Sequence, residues 1–299
     1  MAKIIAPVIT VFNEQEKPDY EGNKKVIDFL IEGGLDGILV LGSAGEFPDL
    51  NERERLEFFK FYAEYVNGRV ELLAGTGCIS YADTLALSNA VYDLGYTPMV
   101  ISPYYFELDQ EKLFVYYDRL AKDVKGSLYL YNFPPRTGHS IAPETIRRLI
   151  DANPNIIGLK DSVANPGHTN MVCRAVEGKP FTTYSGFDDQ FLSNIANNGG
   201  GGCIGALSII VPEIWSSLVS AANGKDFERT FALFHLIQKL MPIYDMDTNC
   251  SLILKKLLVH RGLSISDRAV CPFNQMEPAV YQKAEKLLDG VLEEFQTLN

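Results

Sequence analysis

The chain has 299 residues, 46% of them hydrophobic, enough to bury the core of one large α/β unit or two smaller ones. A net charge of −11 argues against a nucleic-acid partner, because a phosphate backbone would be repelled. The segment "MAKIIAPVITVFNEQ" lacks a charged-then-apolar leader pattern and no apolar run reaches spanning length, so the expectation is a soluble, cytoplasmic protein with no membrane partner.

In chain order, short apolar runs alternate with helical patterns. Strands are expected at 4–12, 36–43, 70–77, 98–102, 127–134, 156–162, 181–186 and 201–207. Most are nearly continuous apolar runs, as in strands of a parallel sheet covered on both faces. Between them, helices are expected near 21–33, 51–66, 80–94, 110–123, 143–152, 168–177, 188–198 and 213–222. The helix at 51–66 has the clearest start: Asn51 can cap it with Glu54 as reciprocal partner, and Leu56, Phe59, Tyr62, Ala63 and Val66 fall on one face. Eight strands alternating with eight helices is the count of a (β/α)8 barrel, expected over 1–224. A doubly wound open sheet is the alternative, but no G-x-G-x-x-G follows the first strand. Three further helices, at 225–245, 248–261 and 278–296, form a C-terminal helical appendage (225–299) packed on the barrel.

In such barrels the chemistry lies at the C-terminal ends of the strands. Strand two ends in Ser43, Ala44, Gly45 and Glu46; strand four runs into Tyr104 and Tyr105. Strand five ends in Tyr131 and Asn132 with Arg136 in its loop, and strand six carries Lys160, then Asp161. Lys160 interrupts the apolar run "NIIGL" and should point into the barrel mouth. An ammonium there is poorly solvated, which favours the neutral amine that attacks a ketone to form a Schiff base. A lysine at a strand end also fits snorkelling to solvent, or pairing with Asp161. Tyr131 offers a phenol for proton transfer, Ser43 a relay, and the backbone of "SAG" a carboxylate cradle. Each has a plainer reading, as a packed tyrosine or an ordinary glycine turn. Arg136 suits a carboxylate, or is a solvated loop charge. The four histidines (His139, His168, His235, His260) form no H-x-H or H-E-x-x-H pair, so no metal site is expected. Five cysteines without C-x-x-C spacing read as reduced thiols.

Together, "GSAGE" (42–46), "SPYY" (102–105), "YNFPPRTG" (131–138) and "GLKDS" (158–162) resemble the dihydrodipicolinate synthase/N-acetylneuraminate lyase family over essentially the whole chain. The resemblance implies a homo-oligomeric (β/α)8 barrel, a tetramer or dimer, that forms a covalent imine with a keto acid and needs no cofactor. It implies that Lys160 is the Schiff-base lysine, Tyr131 the catalytic tyrosine and Ser43 the proton relay. Ser43 and Ala44 would hold the pyruvate carboxylate through backbone amides, Tyr105 would reach a neighbouring subunit's site, and Ile204 would lie near the pyruvyl group. "GSAGE" departs from the "GTTGE" of the synthases, whereas Arg136 in "YNFPPRTG" follows them. "GFDDQF" (186–191) and "DT" (247–248) resemble bacterial 2-keto-3-deoxy sugar-acid aldolases, with Asp188 and Asp189 facing the polyol tail. Helix capping explains the same two aspartates. The resemblance therefore implies a 2-keto-3-deoxy sugar-acid aldolase, with dihydrodipicolinate synthase, N-acetylneuraminate lyase and a non-catalytic sugar-acid-binding barrel as alternatives.

Overall fold

The computed structural model describes residues 1–298. Its parallel strands are β1 (Lys3–Ala6), β2 (Gly37–Val40), β3 (Glu71–Gly75), β4 (Thr97–Ile101), β5 (Leu128–Asn132), β6 (Ile156–Asp161), β7 (Thr182–Ser185) and β8 (Gly200–Cys203). They pair in sequence order and close through β1 and β8 into an eight-stranded barrel. Gly202 makes that closure possible: its φ is +117°, and a Cβ there would lie 2.0 Å from the Lys3 carbonyl oxygen. Helices α1 (Tyr20–Glu32), α2 (Glu52–Val66), α3 (Tyr81–Asp93), α4 (Gln110–Asp123), α5 (Pro134–Thr137), α6 (Pro143–Ala152), α7 (Pro166–Ala175), α8 (Phe191–Ile195) and α9 (Pro212–Gly224) follow the strands. After them come α10 (Phe227–Leu240), α11 (Ser251–His260) and α12 (Pro278–Thr297). Leu236, Leu257, Ala284 and Leu288 of these last helices join the same apolar core as Ile4, Leu39 and Trp215.

Asn51 and Glu54 form the expected capping box on α2. The buried face of that helix is rotated from the expected one: Arg55, Phe58, Phe59, Tyr62 and Val66 are buried, while Leu56 and Ala63 are only partly covered. Phe58 is drawn inward by the rings of Tyr62 and Tyr20. Strand β1 is shorter than its apolar run, because Pro7 has no N–H to continue the ladder. The run expected as helix 188–198 is a 3₁₀ turn, Asp188–Gln190, leading into the short α8. The run 225–245 breaks at Leu240, since Pro242 forces a 3₁₀ turn over Met241–Asp245. The chain then crosses the barrel mouth before Ser251 opens α11.

Candidate active site

At the C-terminal mouth, Tyr131 and Lys160 are register partners on neighbouring strands β5 and β6. Side chains alternate along a strand, so both point into the barrel while Asn132 and Asp161, the next pair, point out toward the helices. Lys160 is 4% exposed and Tyr131 5%. The Lys160 Nζ lies 4.6 Å from the centroid of the Tyr131 ring. The phenol oxygen is 3.4 Å from Ser43 Oγ, the long end of hydrogen-bond range.

Ser43 belongs to a strained turn. After β2 the chain passes through Leu41 at φ +53°, a 3₁₀ turn over Ser43–Gly45, and Glu46 at φ +54°. Left-handed backbone at two non-glycine residues persists only where surrounding contacts hold it. Those contacts come from both ends of the chain. Thr10 Oγ1 donates to the Gly45 carbonyl at 2.7 Å, and Ser251 Oγ on α11 donates to the Ala44 carbonyl at 3.0 Å. One turn along α11, the fully buried Lys255 is ion-paired with Glu46, also donates to the Arg268 carbonyl at 2.9 Å, and sits over the Phe12 ring. Burial pushes the Glu46 carboxyl up and the Lys255 ammonium down, and their mutual attraction opposes both shifts. The first N–H groups of the turn, on Ser43 and Ala44, have no partner within it.

A cavity of about 260 Å³ sits above this floor. Ser43, Ala44, Tyr131, Arg136, Lys160 and Ile204 all line it. An adjoining antechamber of about 380 Å³ shares Ser43 and Arg136 and reaches Tyr104 and Phe273. The Arg136 guanidinium is exposed on α5 and donates to the Thr248 carbonyl at 2.6 Å.

The structure does not bring Asp188, Asp189 or Tyr105 to the cavity. Asp188 is fully buried behind its wall, where it accepts a hydrogen bond from the Tyr244 hydroxyl at 2.5 Å. Burial pushes the Asp188 carboxyl up to about 7, against the pull of that hydrogen bond. Gly205 makes room for it: a Cβ there would lie 2.4 Å from Asp188 Oδ1. Asp189 is exposed and lines neither space. Tyr105 is 74% exposed beyond β4 and is absent from its own chain's cavity. The polar roof comes instead from Tyr244, Asp245, Asp247, Thr248 and Asn249, in the crossing that follows the Pro242 break. The Tyr244 hydroxyl fixes this crossing by also accepting the Ala206 N–H at 2.8 Å. Asp247 and Thr248 are the "DT" pair on which the resemblance to sugar-acid aldolases partly rests; Pro242 and the polar run "DMDTN" were the local signals for a loop around them. Among the described residues, no group of three or more His, Cys, Asp or Glu side chains is placed to hold a metal ion.

A (β/α)8 barrel with a buried lysine against a tyrosine at its catalytic mouth defines a class I, Schiff-base aldolase or lyase. The chain belongs to the dihydrodipicolinate synthetase family, whose model matches residues 1–290. It is 32% identical over 277 residues to the Escherichia coli K12 protein named "Putative 2-dehydro-3-deoxy-D-gluconate aldolase YagE", covering 92% of this chain and 91% of that one. It is 35% identical over 245 residues to a 4-hydroxy-tetrahydrodipicolinate synthase of Kosmotoga olearia, covering 81% and 82%. The crystal structure of YagE in complex with pyruvate superposes with a TM-score of 0.93 at 30% identity, over 98% of this chain and 99% of that one. The dihydrodipicolinate synthase of Aquifex aeolicus superposes with a TM-score of 0.90 at 26% identity, over 99% and 98%. No helix among the described residues is long and apolar enough to cross a membrane.

Proposed function

We propose that the protein is a pyruvate-dependent aldolase that cleaves a 2-keto-3-deoxy sugar acid to pyruvate and an aldehyde. The observation that carries the substrate class is the roof: Asp245, Asp247, Thr248 and Asn249 line the same cavity as Lys160. Each carboxylate accepts several hydrogen bonds, which suits a chain of hydroxyls. Reading of the distal substrate is assigned to these residues with Arg136, rather than to Asp188 and Asp189, which lie outside the cavity.

In this mechanism the substrate carboxylate rests on the Ser43 and Ala44 backbone amides. Neutral Lys160 attacks the C2 ketone, and loss of water gives the imine. Tyr131 takes the C4 hydroxyl proton, the C3–C4 bond breaks, and its electron pair enters the protonated imine to leave an enamine and a free aldehyde. Ser43 relays the proton; C3 is then protonated and water releases pyruvate from Lys160. Ile204 packs against the pyruvyl methyl. The site of action is the cytoplasm and the working form a homo-oligomer in which Tyr105, exposed here, enters a neighbour's antechamber.

The test is borohydride trapping with pyruvate, with the adduct located by peptide mapping, followed by pyruvate release from five- and six-carbon 2-keto-3-deoxy aldonates. An adduct on Lys160 and cleavage of at least one sugar acid is the expected result. No adduct, or one elsewhere, removes the mechanism. A second reading, condensation of pyruvate with aspartate semialdehyde, is favoured by Arg136 at the cavity mouth, where a guanidinium fits the second carboxylate. Condensation without sugar-acid cleavage would select it.

A further inference from the structure

Behind Lys160 lies a closed polar ring outside the reacting cavity. Asp161, fully buried, accepts from Asn132 Nδ2 at 2.9 Å on one oxygen, and from His168 Nδ1 at 2.9 Å and Thr169 Oγ1 at 2.7 Å on the other. Asn132 Oδ1 accepts the Ile141 N–H at 3.0 Å, and His168 Nε2 lies 3.1 Å from the Ile141 carbonyl oxygen. A backbone carbonyl only accepts, so Nε2 carries a proton. The proton between Nδ1 and Asp161 is assigned to the imidazole, because Asp161 already accepts on both oxygens, from Asn132 and from Thr169. With both nitrogens protonated, His168 is an imidazolium.

Its surroundings explain that charge. Burial alone would push the imidazole down, and its place in the first turn of α7 faces the positive end of the helix dipole. The hydrogen bond and charge of Asp161 on β6, the Ile141 carbonyl and Glu144 on α6 outweigh burial and hold His168 above the ordinary histidine value. Asn132 and Asp161 directly follow Tyr131 and Lys160 and are register partners in their turn. The ring thus locks together the two strand ends that carry the reacting groups.

We propose that His168 is a positioning residue: a buried imidazolium whose bond to Asp161 fixes the ends of β5 and β6 and so the approach of Lys160 to Tyr131. The inference rests on the Schiff-base reading, and one of its two tests is independent of it. The first is ¹⁵N NMR of the imidazoles in the intact protein, with His168→Gln giving the assignment. One doubly protonated imidazolium at pH 7.5, absent from the variant, is expected; a neutral His168 overturns the proposal whether or not the variant folds. The second compares wild type and His168→Gln by pH profiles of pyruvate trapping and of turnover. Wild type should lose rate on the alkaline side at the pKa that NMR gives for His168. The variant should lack that limb and be slower on the order of 10-fold or more in kcat, with KM little changed. A folded variant with wild-type kcat and pH profile overturns the proposal. If wild type traps no pyruvate, the Schiff-base reading fails by itself. His168 is then judged by NMR and by thermal stability, which should fall as pH rises through its pKa and do so less in the variant.

Discussion

Lys255→Met removes the positive half of a fully buried ion pair and leaves a side chain of similar length. Glu46, 2% exposed, then has two options. Remaining charged without a partner costs about 3–5 kcal/mol. Taking up a proton at pH 7, against an unfolded value near 4.3, costs about 3–4 kcal/mol at roughly 1.4 kcal/mol per pH unit. The two routes agree, so the variant should lose about 3–4 kcal/mol at pH 7. The sign of its pH dependence follows. Burial already pushes the Glu46 carboxyl up, and without Lys255 it goes higher. Stability tied to the protonated form is present below the unfolded value and lost as pH rises. The gap from wild type should therefore narrow by up to about 1.4 kcal/mol per pH unit between pH 7 and pH 5. Urea denaturation at the two pH values measures it. The double variant Glu46→Gln/Lys255→Met leaves neither charge and should recover most of the loss. A single variant within about 1 kcal/mol of wild type at both pH values, or a double variant no better than the single, would refute the reasoning.

Lys160→Ala should abolish both the borohydride-trappable adduct and turnover while leaving the far-UV circular dichroism unchanged; residual turnover above background would remove the imine. Tyr131→Phe should still form the adduct but lose about 10²- to 10⁴-fold in kcat, measured by pyruvate release. Asp247→Asn should raise KM for the sugar acid with kcat nearly kept, since it removes a hydroxyl acceptor remote from the breaking bond; an unchanged KM would take Asp247 out of substrate reading. Asp188→Asn tests the carboxyl pushed up to about 7 behind the cavity wall. A raised carboxyl costs stability as pH climbs from its unfolded value of about 4 toward 7, so the variant's Tm should fall less over that window.

The barrel was legible because its signals are local. Most strands are short apolar runs, and the chemical groups sit where such runs end, as Tyr131 does after "SLYL" and Lys160 within "IIGLKD". The misreadings arose where a distant partner decides the outcome. "GFDD" marks a strand tip, but whether Asp188 faces substrate depends on Tyr244, 56 residues away. The roof at 245–249 depends on the chain crossing the mouth after Pro242. The two adjacent lysines of α11 make the point most sharply. Lys256 reaches Asp267 at the surface, whereas Lys255 is fully buried against Glu46, 209 positions earlier. The run "SLILKKLLVH" by itself does not distinguish the two. The usable signal was the spacing of Ser251 and Lys255: two polar residues four apart share one helix face, and here that face meets the Ala44 carbonyl and the Glu46 carboxylate. A polar stripe on an otherwise apolar helix predicts a buried polar partner, and only the fold reveals that this partner is the turn carrying Ser43. The C-terminal helices thereby help shape the candidate site, because the left-handed Glu46 of the turn is held by a lysine they supply.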